Sequence, residues 1–199
     1  QNANVDLVNV NPKQLPQINI SGSLGNRPPE RNQEKPMNNA VWKTAVIALG
    51  SNLDKPALNV QAALDELGMQ QSITLKHISS FYTTTPVGYT KQPDFVNAVC
   101  MIDTDLSADE LLTVLQNIEL RFGRERSFRN APRTLDLDII DYQHELYQSE
   151  RLTLPHPRAH ERSFVMIPLA EIAPDYLIGE HNTAAQLASG LGNEGVKIL

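Results

Sequence analysis

The sequence predicts an α+β fold built on one antiparallel sheet, and three observations carry that expectation. Short apolar runs rich in β-branched residues recur over 45–50, 73–82, 95–104 and 135–140. Two segments with helical period, 56–68 and 107–123, lie between them. Proline, glycine and polar clusters punctuate the joins.

Residues 1–40 are rich in Asn, Gln and Pro, with brief apolar bursts but no sustained period, the pattern of a disordered leader or linker. The folded unit is expected over 41–199, with Met37 a candidate start. Residues 45–50 read as a buried strand. Pro56 suits the first position of a helix whose apolar face is Ala57, Val60, Ala63, Leu64 and Leu67, and Gly68 ends it. Residues 73–82 and 95–104 read as strands joined by the Pro- and Gly-bearing loop 83–94. Ser107 caps the next helix and Glu110 completes a capping box, with Leu111, Leu112, Leu115, Ile118 and Glu119 leading toward Phe122 and Gly123. An arginine-rich loop and a strand bearing Asp136 and Asp138 follow. The order strand, helix, strand, strand, helix, strand is a ferredoxin-like βαββαβ core, with helices on one sheet face and the other face free for a ligand. Residues 146–154 leave room for a short strand or hairpin, 164–172 read as a helical or irregular cover, and the tail after Pro174 is ambiguous.

The length allows one domain with a proper core. A net charge of −6 and a pI near 5.3 argue against wholesale nucleic-acid binding, which rests on neutralising phosphates with Lys and Arg. The single cysteine, Cys100, lies in an apolar run and suits a reducing cytoplasm. No apolar run approaches the length of a membrane span, and no signal-peptide pattern opens the chain.

Leu135, Leu137 and Ile139 alternate with Asp136 and Asp138, so both acids leave one face of the strand while the aliphatic set packs beneath. Two such anions repel unless a cation sits between them, and an all-oxygen donor set points to Mg²⁺ shared with substrate phosphates. A solvated strand face would also account for the acids alone. Arg124, Arg126, Arg129 and Arg133 precede them in a loop that can converge guanidinium forks on phosphate oxygens, a combination suited to phosphoryl transfer. His156 stands between two prolines with Arg158 and Arg162 nearby, a second candidate phosphate contact, although a lone histidine is as readily structural. Asn97 interrupts an apolar run on the face of Phe95; it either pairs with nearby backbone or reads the edge of a flat heterocycle stacked on that ring.

Several ordered motifs extend these features: Ala48-Leu49-Gly50-Ser51-Asn52, Ser80-Phe81-Tyr82 with Pro86-Val87-Gly88, Gln92 through Asn97, Arg133 through Asp138, Leu154 through Arg158, and Pro168 through Pro174. Together they resemble the 6-hydroxymethyl-7,8-dihydropterin pyrophosphokinases of folate biosynthesis. The likeness runs from about Thr44 to Pro174. It implies transfer of the β,γ-diphosphate of ATP to the pterin hydroxymethyl oxygen, with release of AMP, by a catalytic domain spanning 41–199. By that resemblance Asp136 and Asp138 hold two Mg²⁺ ions, and Arg124 and Arg133 join them in catalysis. Phe95 and Phe164 sandwich the pterin, Asn97 meets its polar edge, and Thr84, Val87 and Gly88 line its pocket. Gln116, Arg126, Arg133, Ile139, Arg151, Thr153, His156 and Arg162 match nucleotide contacts, with Arg124 and Arg126 on a closing loop. Asn130 and Pro157 depart from the pattern, where Trp and Tyr occur. The expected partners are ATP and the pterin, with no nucleic acid and no membrane, acting on a cytoplasmic monomer.

Two rivals remain at the level of sequence. A nucleotidyl transferase or cyclase with a ferredoxin-like palm would share the Asp-x-Asp pair and release pyrophosphate. A sensor domain would bind nucleotide or pterin without turnover.

Overall fold

The computed structural model describes residues 41–88, 90–123, 132 and 134–199. The expectations for residues 1–40 and for Arg124, Arg126, Arg129, Asn130 and Arg133 lie outside the described residues.

The chain runs β1 (Lys43–Ser51), α1 (Pro56–Gly68), β2 (Ile73–Ile78), β3 (Tyr82–Thr84), β4 (Phe95–Thr104), α2 (Ala108–Arg121) and β5 (Asp136–Tyr142). A hairpin of β6 (Tyr147–Gln148) and β7 (Thr153–Leu154) follows, then a 3-10 turn (Ala159–Glu161), α3 (Ser163–Ile172), α4 (Ala184–Leu191) and β8 (Val196–Ile198). The main sheet has the order β5-β1-β4-β3-β8, with β2 also paired to β4, and every pairing is antiparallel. This is the expected βαββαβ core with additions.

Alternation along the central strands explains both faces. Ala45, Ile47, Leu49, Ala98, Cys100, Ile102, Leu137 and Ile139 join the buried faces of α1 and α2 in one apolar cluster. The capping box of α2 forms in full, with Ser107 Oγ accepting from Glu110 N and Glu110 Oε2 accepting from Ser107 N. On the reverse face Val46, Val99 and Ile140 pack against Val165, Met166 and Leu169 of α3, with α4 beside it. The face opposite α1 and α2 is therefore covered over part of its area, and the part left open is where β1 carries only Ala48 and Gly50.

The single strand expected over 73–82 is two. Ser79 interrupts it: its N–H donates to Val99 O, but its hydroxyl, rather than a main-chain carbonyl, accepts from Val99 N. The side chain replaces one rung, so β2 pairs with the 100–104 end of β4 and β3 with the 95–97 end. The tail resolves into α4, capped by Thr183 with Gln186, and β8, which pairs with β3.

Candidate active site

A cavity of about 530 Å³ opens on the reverse face beyond the cover of α3. Its floor is a row set by strand register, in which Gly50 lies between Asn97 of β4 and Asp136 of β5. Asp138 is the next residue of β5 on this face, opposite Ala48. Thr84, Val87 and Gly88 wall one side with Phe95, and Arg162 and Phe164 enter from the start of α3. The Arg162 guanidinium lies 5.7 Å from the Phe164 ring centre, which holds the charge beside the aromatic.

Asn97 is buried, and its amide donates to Thr84 Oγ1 at 2.6 Å. A side chain on Gly50 would begin 2.6 Å from Asn97 Oδ1, so glycine is what allows the amide to sit over β1. Behind the floor, Asn59 of α1 donates to Ser51 Oγ, Leu53 O and Thr134 O, tying the end of β1 to the residues that lead into β5. Asn52 ties the same corner to Gln92 and Pro93.

A second cavity of about 340 Å³ lies along the outer edge of β5, lined by Gln116, Ile139, Arg151 and Thr153 among others. Arg151 donates to Thr113 Oγ1 and Gln116 Oε1, which fixes the hairpin guanidinium against α2. Asp138 and His156 line both cavities. The backbone of His156 donates to Ile140 O, and its Nδ1 accepts from Arg158 N. Burial first, and then the nearby Arg162 charge, push the imidazole down to about 4. At neutral pH it is uncharged, and with Nδ1 occupied as acceptor its proton sits on Nε2, a ready donor to an anionic oxygen.

Three residues here escaped sequence reasoning as site residues. Glu119 of α2 is 2 % exposed and accepts from Leu137 N, the peptide between the two aspartates. Its placement in the apolar stripe beside Leu115 and Ile118 was the available signal. Glu171 of α3 accepts from Ser80 and Tyr82. Burial works to raise its carboxyl, and the bonds from Tyr82 and Ser80 outweigh it, so its pKa lies below the usual carboxylate value. Gly50 was visible only as part of a motif.

The donor set fits a hard divalent cation. Two carboxylates project from one strand face, Cys100 is buried on the other, and among the described residues no group of three or more His, Cys, Asp and Glu gathers. A carboxylate pair of this kind suits Mg²⁺ that takes its remaining ligands from water and phosphate oxygens.

Residues 46–174 match the family of 7,8-dihydro-6-hydroxymethylpterin-pyrophosphokinase, HPPK. The chain belongs to this family. It is 47 % identical over 144 residues to the 2-amino-4-hydroxy-6-hydroxymethyldihydropteridine pyrophosphokinase of Haemophilus influenzae, covering 72 % of this chain and 90 % of that one. It is 40 % identical over 162 residues to the Bacillus subtilis protein of the same name, covering 81 % and 91 %. A solved Plasmodium falciparum HPPK-DHPS chain superposes with a TM-score of 0.64 at 14 % identity, over 79 % of this chain and 47 % of that one, which shows the common fold. This chain thus spans about half the length of that solved chain. The enzyme is a pyrophosphokinase of folate biosynthesis that uses ATP with Mg²⁺, which removes the nucleotidyl-transferase and sensor readings. Among the described residues no helix is long and apolar enough to cross a membrane.

Proposed function

We propose that the two cavities hold the two substrates of the pyrophosphokinase reaction, the pterin over Gly50 and Asn97 and the nucleotide along the outer edge of β5. The observation that carries this reading is that Asp138 and His156 belong to both cavities. Reacting groups delivered from either side meet at those two residues.

The flat pterin lies between Phe95 and Phe164, with the Asn97 amide and Thr84 at its polar edge, and its hydroxymethyl group points toward Asp136 and Asp138. Gln116, Ile139, Arg151 and Thr153 receive the nucleoside, and His156 with Arg162 receives phosphate oxygens. By the family resemblance Arg124, Arg126 and Arg133 are assigned to the phosphates. The hydroxymethyl oxygen attacks the β-phosphorus, the bond from that phosphorus to the oxygen bridging the α-phosphate breaks, AMP leaves, and the hydroxyl proton passes to solvent. Asp136 and Asp138 would hold Mg²⁺, proposed as two ions, which would supply charge neutralisation to the triphosphate. The protein's own contribution is orientation: a slot for the ring walled by Phe95 and Phe164, an Nε2–H donor at His156, and two carboxylates held by the β1–β5 ladder.

The proposed enzyme acts as a monomer, and the net charge of −6 supports the absence of a nucleic-acid partner. The free, buried Cys100 supports a reducing cytoplasmic setting for a catalytic domain spanning 41–199.

The test is AMP formation from ATP and Mg²⁺ with and without 6-hydroxymethyl-7,8-dihydropterin. Asp138→Ala is expected to lower pterin-dependent AMP formation by about 10³-fold or more while pterin affinity changes by less than about fivefold. Equal loss of turnover and pterin binding, or AMP formation independent of the pterin, contradicts the reading.

A further inference from the structure

Apolar packing holds α3 down on the sheet through Val165, Met166 and Leu169. Such contacts are non-directional, so they set the height of the helix better than its position along the strands. That position matters because Phe164, at the start of α3, forms one wall of the larger cavity, while Phe95, Asn97 and Thr84 form the opposite side on β4 and β3.

One side chain joins the two sides with directional bonds. Glu171 lies seven residues, about two helical turns, beyond Phe164. Its Oε1 accepts from Ser80 N at 2.9 Å and Ser80 Oγ at 2.8 Å, and its Oε2 accepts from Tyr82 OH at 2.6 Å and Ser80 N at 3.0 Å. Tyr82 is buried and stands opposite Asn97 in the β3–β4 ladder, and Thr84, two residues on, takes the Asn97 amide bond. The chain of connection therefore runs from the helix bearing Phe164, through the Glu171 carboxylate, to Tyr82 and the strands bearing Asn97, Thr84 and Phe95. Bonds to an ionised carboxylate are short and strong enough to hold a register that apolar contacts leave soft.

We propose that Glu171 is a positioning residue that fixes α3 against β3 and so sets the width of the slot between Phe164 and Phe95. The proposal rests on the reading of this cavity as the pterin site. Glu171 itself is absent from the walls of both cavities, so its effect reaches the ligand only through the helix. The larger consequence falls on the pterin slot, which widens or shears; the nucleotide cavity, built from α2, β5 and the β6–β7 hairpin, keeps its shape, and of the proposed nucleotide contacts only Arg162, at the N-cap of α3, moves with the helix.

Steady-state kinetics on the full chain test this, with KM for pterin and for ATP measured separately alongside a thermal melt. Glu171→Ala is expected to raise the pterin KM about tenfold and the ATP KM by a clearly smaller factor, about threefold or less, through Arg162 at the N-cap of α3. Glu171→Gln retains an acceptor for Ser80 and offers its amide to the Tyr82 oxygen, so its pterin KM should stay within about threefold of the parent. Tyr82→Phe removes a single bond and should raise the pterin KM about threefold with little change for ATP; it carries the test by itself should Glu171→Ala fail to fold. Phe164→Ala serves as the reference for the cavity. If it raises the pterin KM while Glu171→Ala and Tyr82→Phe do not, or raise both KM values alike, the positioning role is overturned. If Phe164→Ala leaves the pterin KM unchanged, the cavity reading falls and the proposal falls with it.

Discussion

Replacing Gly50 with alanine tests the floor of the pterin cavity with one methyl group. The new Cβ would lie 2.6 Å from Asn97 Oδ1, about 0.8 Å inside the 3.4 Å at which ordinary contact begins. The β1 backbone is poorly placed to yield, since Gly50 is paired on both sides, with Asn97 in β4 and Asp136 in β5. The amide must therefore move, and a retreat of that size disrupts its 2.6 Å bond to Thr84 Oγ1. Overpacking of this kind costs about 1–3 kcal/mol, and the strained hydrogen bond adds about 1 kcal/mol. In a domain of this size each kcal/mol lowers the melting temperature by about 2–4 °C. Because the displaced group is the one proposed to meet the pterin edge, the pterin KM should rise at least about tenfold, while the ATP KM changes less than about twofold. Scanning fluorimetry and steady-state kinetics report the two effects independently. A Gly50→Ala enzyme with the parental melting temperature and the parental pterin KM would refute the reasoning.

Arg151→Ala should have the converse signature, because Arg151 sits with Gln116 on the second cavity. Its ATP KM is expected to rise about tenfold with the pterin KM nearly unchanged, and a larger effect on pterin would contradict the assignment. Glu119→Ala leaves the Leu137 N–H buried without its acceptor, costing about 1–3 kcal/mol and lowering the melting temperature by several degrees. Glu119→Gln, which keeps an acceptor, should melt closer to the parent, and equal losses would show that the Leu137 bond is not what matters. His156 should titrate near 4 in the folded enzyme, against about 6.5 unfolded. The unfolded chain then binds the proton more readily, so the contribution of His156 to stability is full above about 6.5 and declines as pH falls toward 4. NMR titration of the five histidines checks this, and a His156 resonance moving near 6.5 would contradict it.

Local signals located much of this fold. Pro56 and Gly68 bracket α1, and Ser107 with Glu110 announces α2, because capping and backbone restriction act within a few residues. The break at Ser79 was invisible to hydrophobic alternation, since one serine hydroxyl replaces a main-chain acceptor without altering the apolar pattern. β8 was equally hidden. Its three residues gain strand character only by pairing with Tyr82–Thr84, more than a hundred residues earlier, and α4 before it, in the tail the sequence left ambiguous, went unread as well. In the site, Asp136, Asp138 and Asn97 stood out because polar residues interrupt apolar strands. Glu171 did not, because a glutamate on a helix reads as solvated surface until the strand it touches is known, and Glu119, though it falls in the apolar stripe of α2, gave no sign that its partner is the Leu137 peptide. For Gly50 the motif was legible and its steric reason was not, as that reason is the Asn97 side chain on another strand.

The central claim is that a diphosphate, rather than a single phosphoryl group, passes to the pterin at the junction marked by Asp138 and His156. Turnover of ATP labelled at the β-phosphorus in the presence of Mg²⁺ and 6-hydroxymethyl-7,8-dihydropterin tests it most directly. The account predicts unlabelled AMP and a pterin product that carries the label in equal amount, both lost in Asp138→Ala. Labelled ADP, with the pterin product unlabelled, would contradict it.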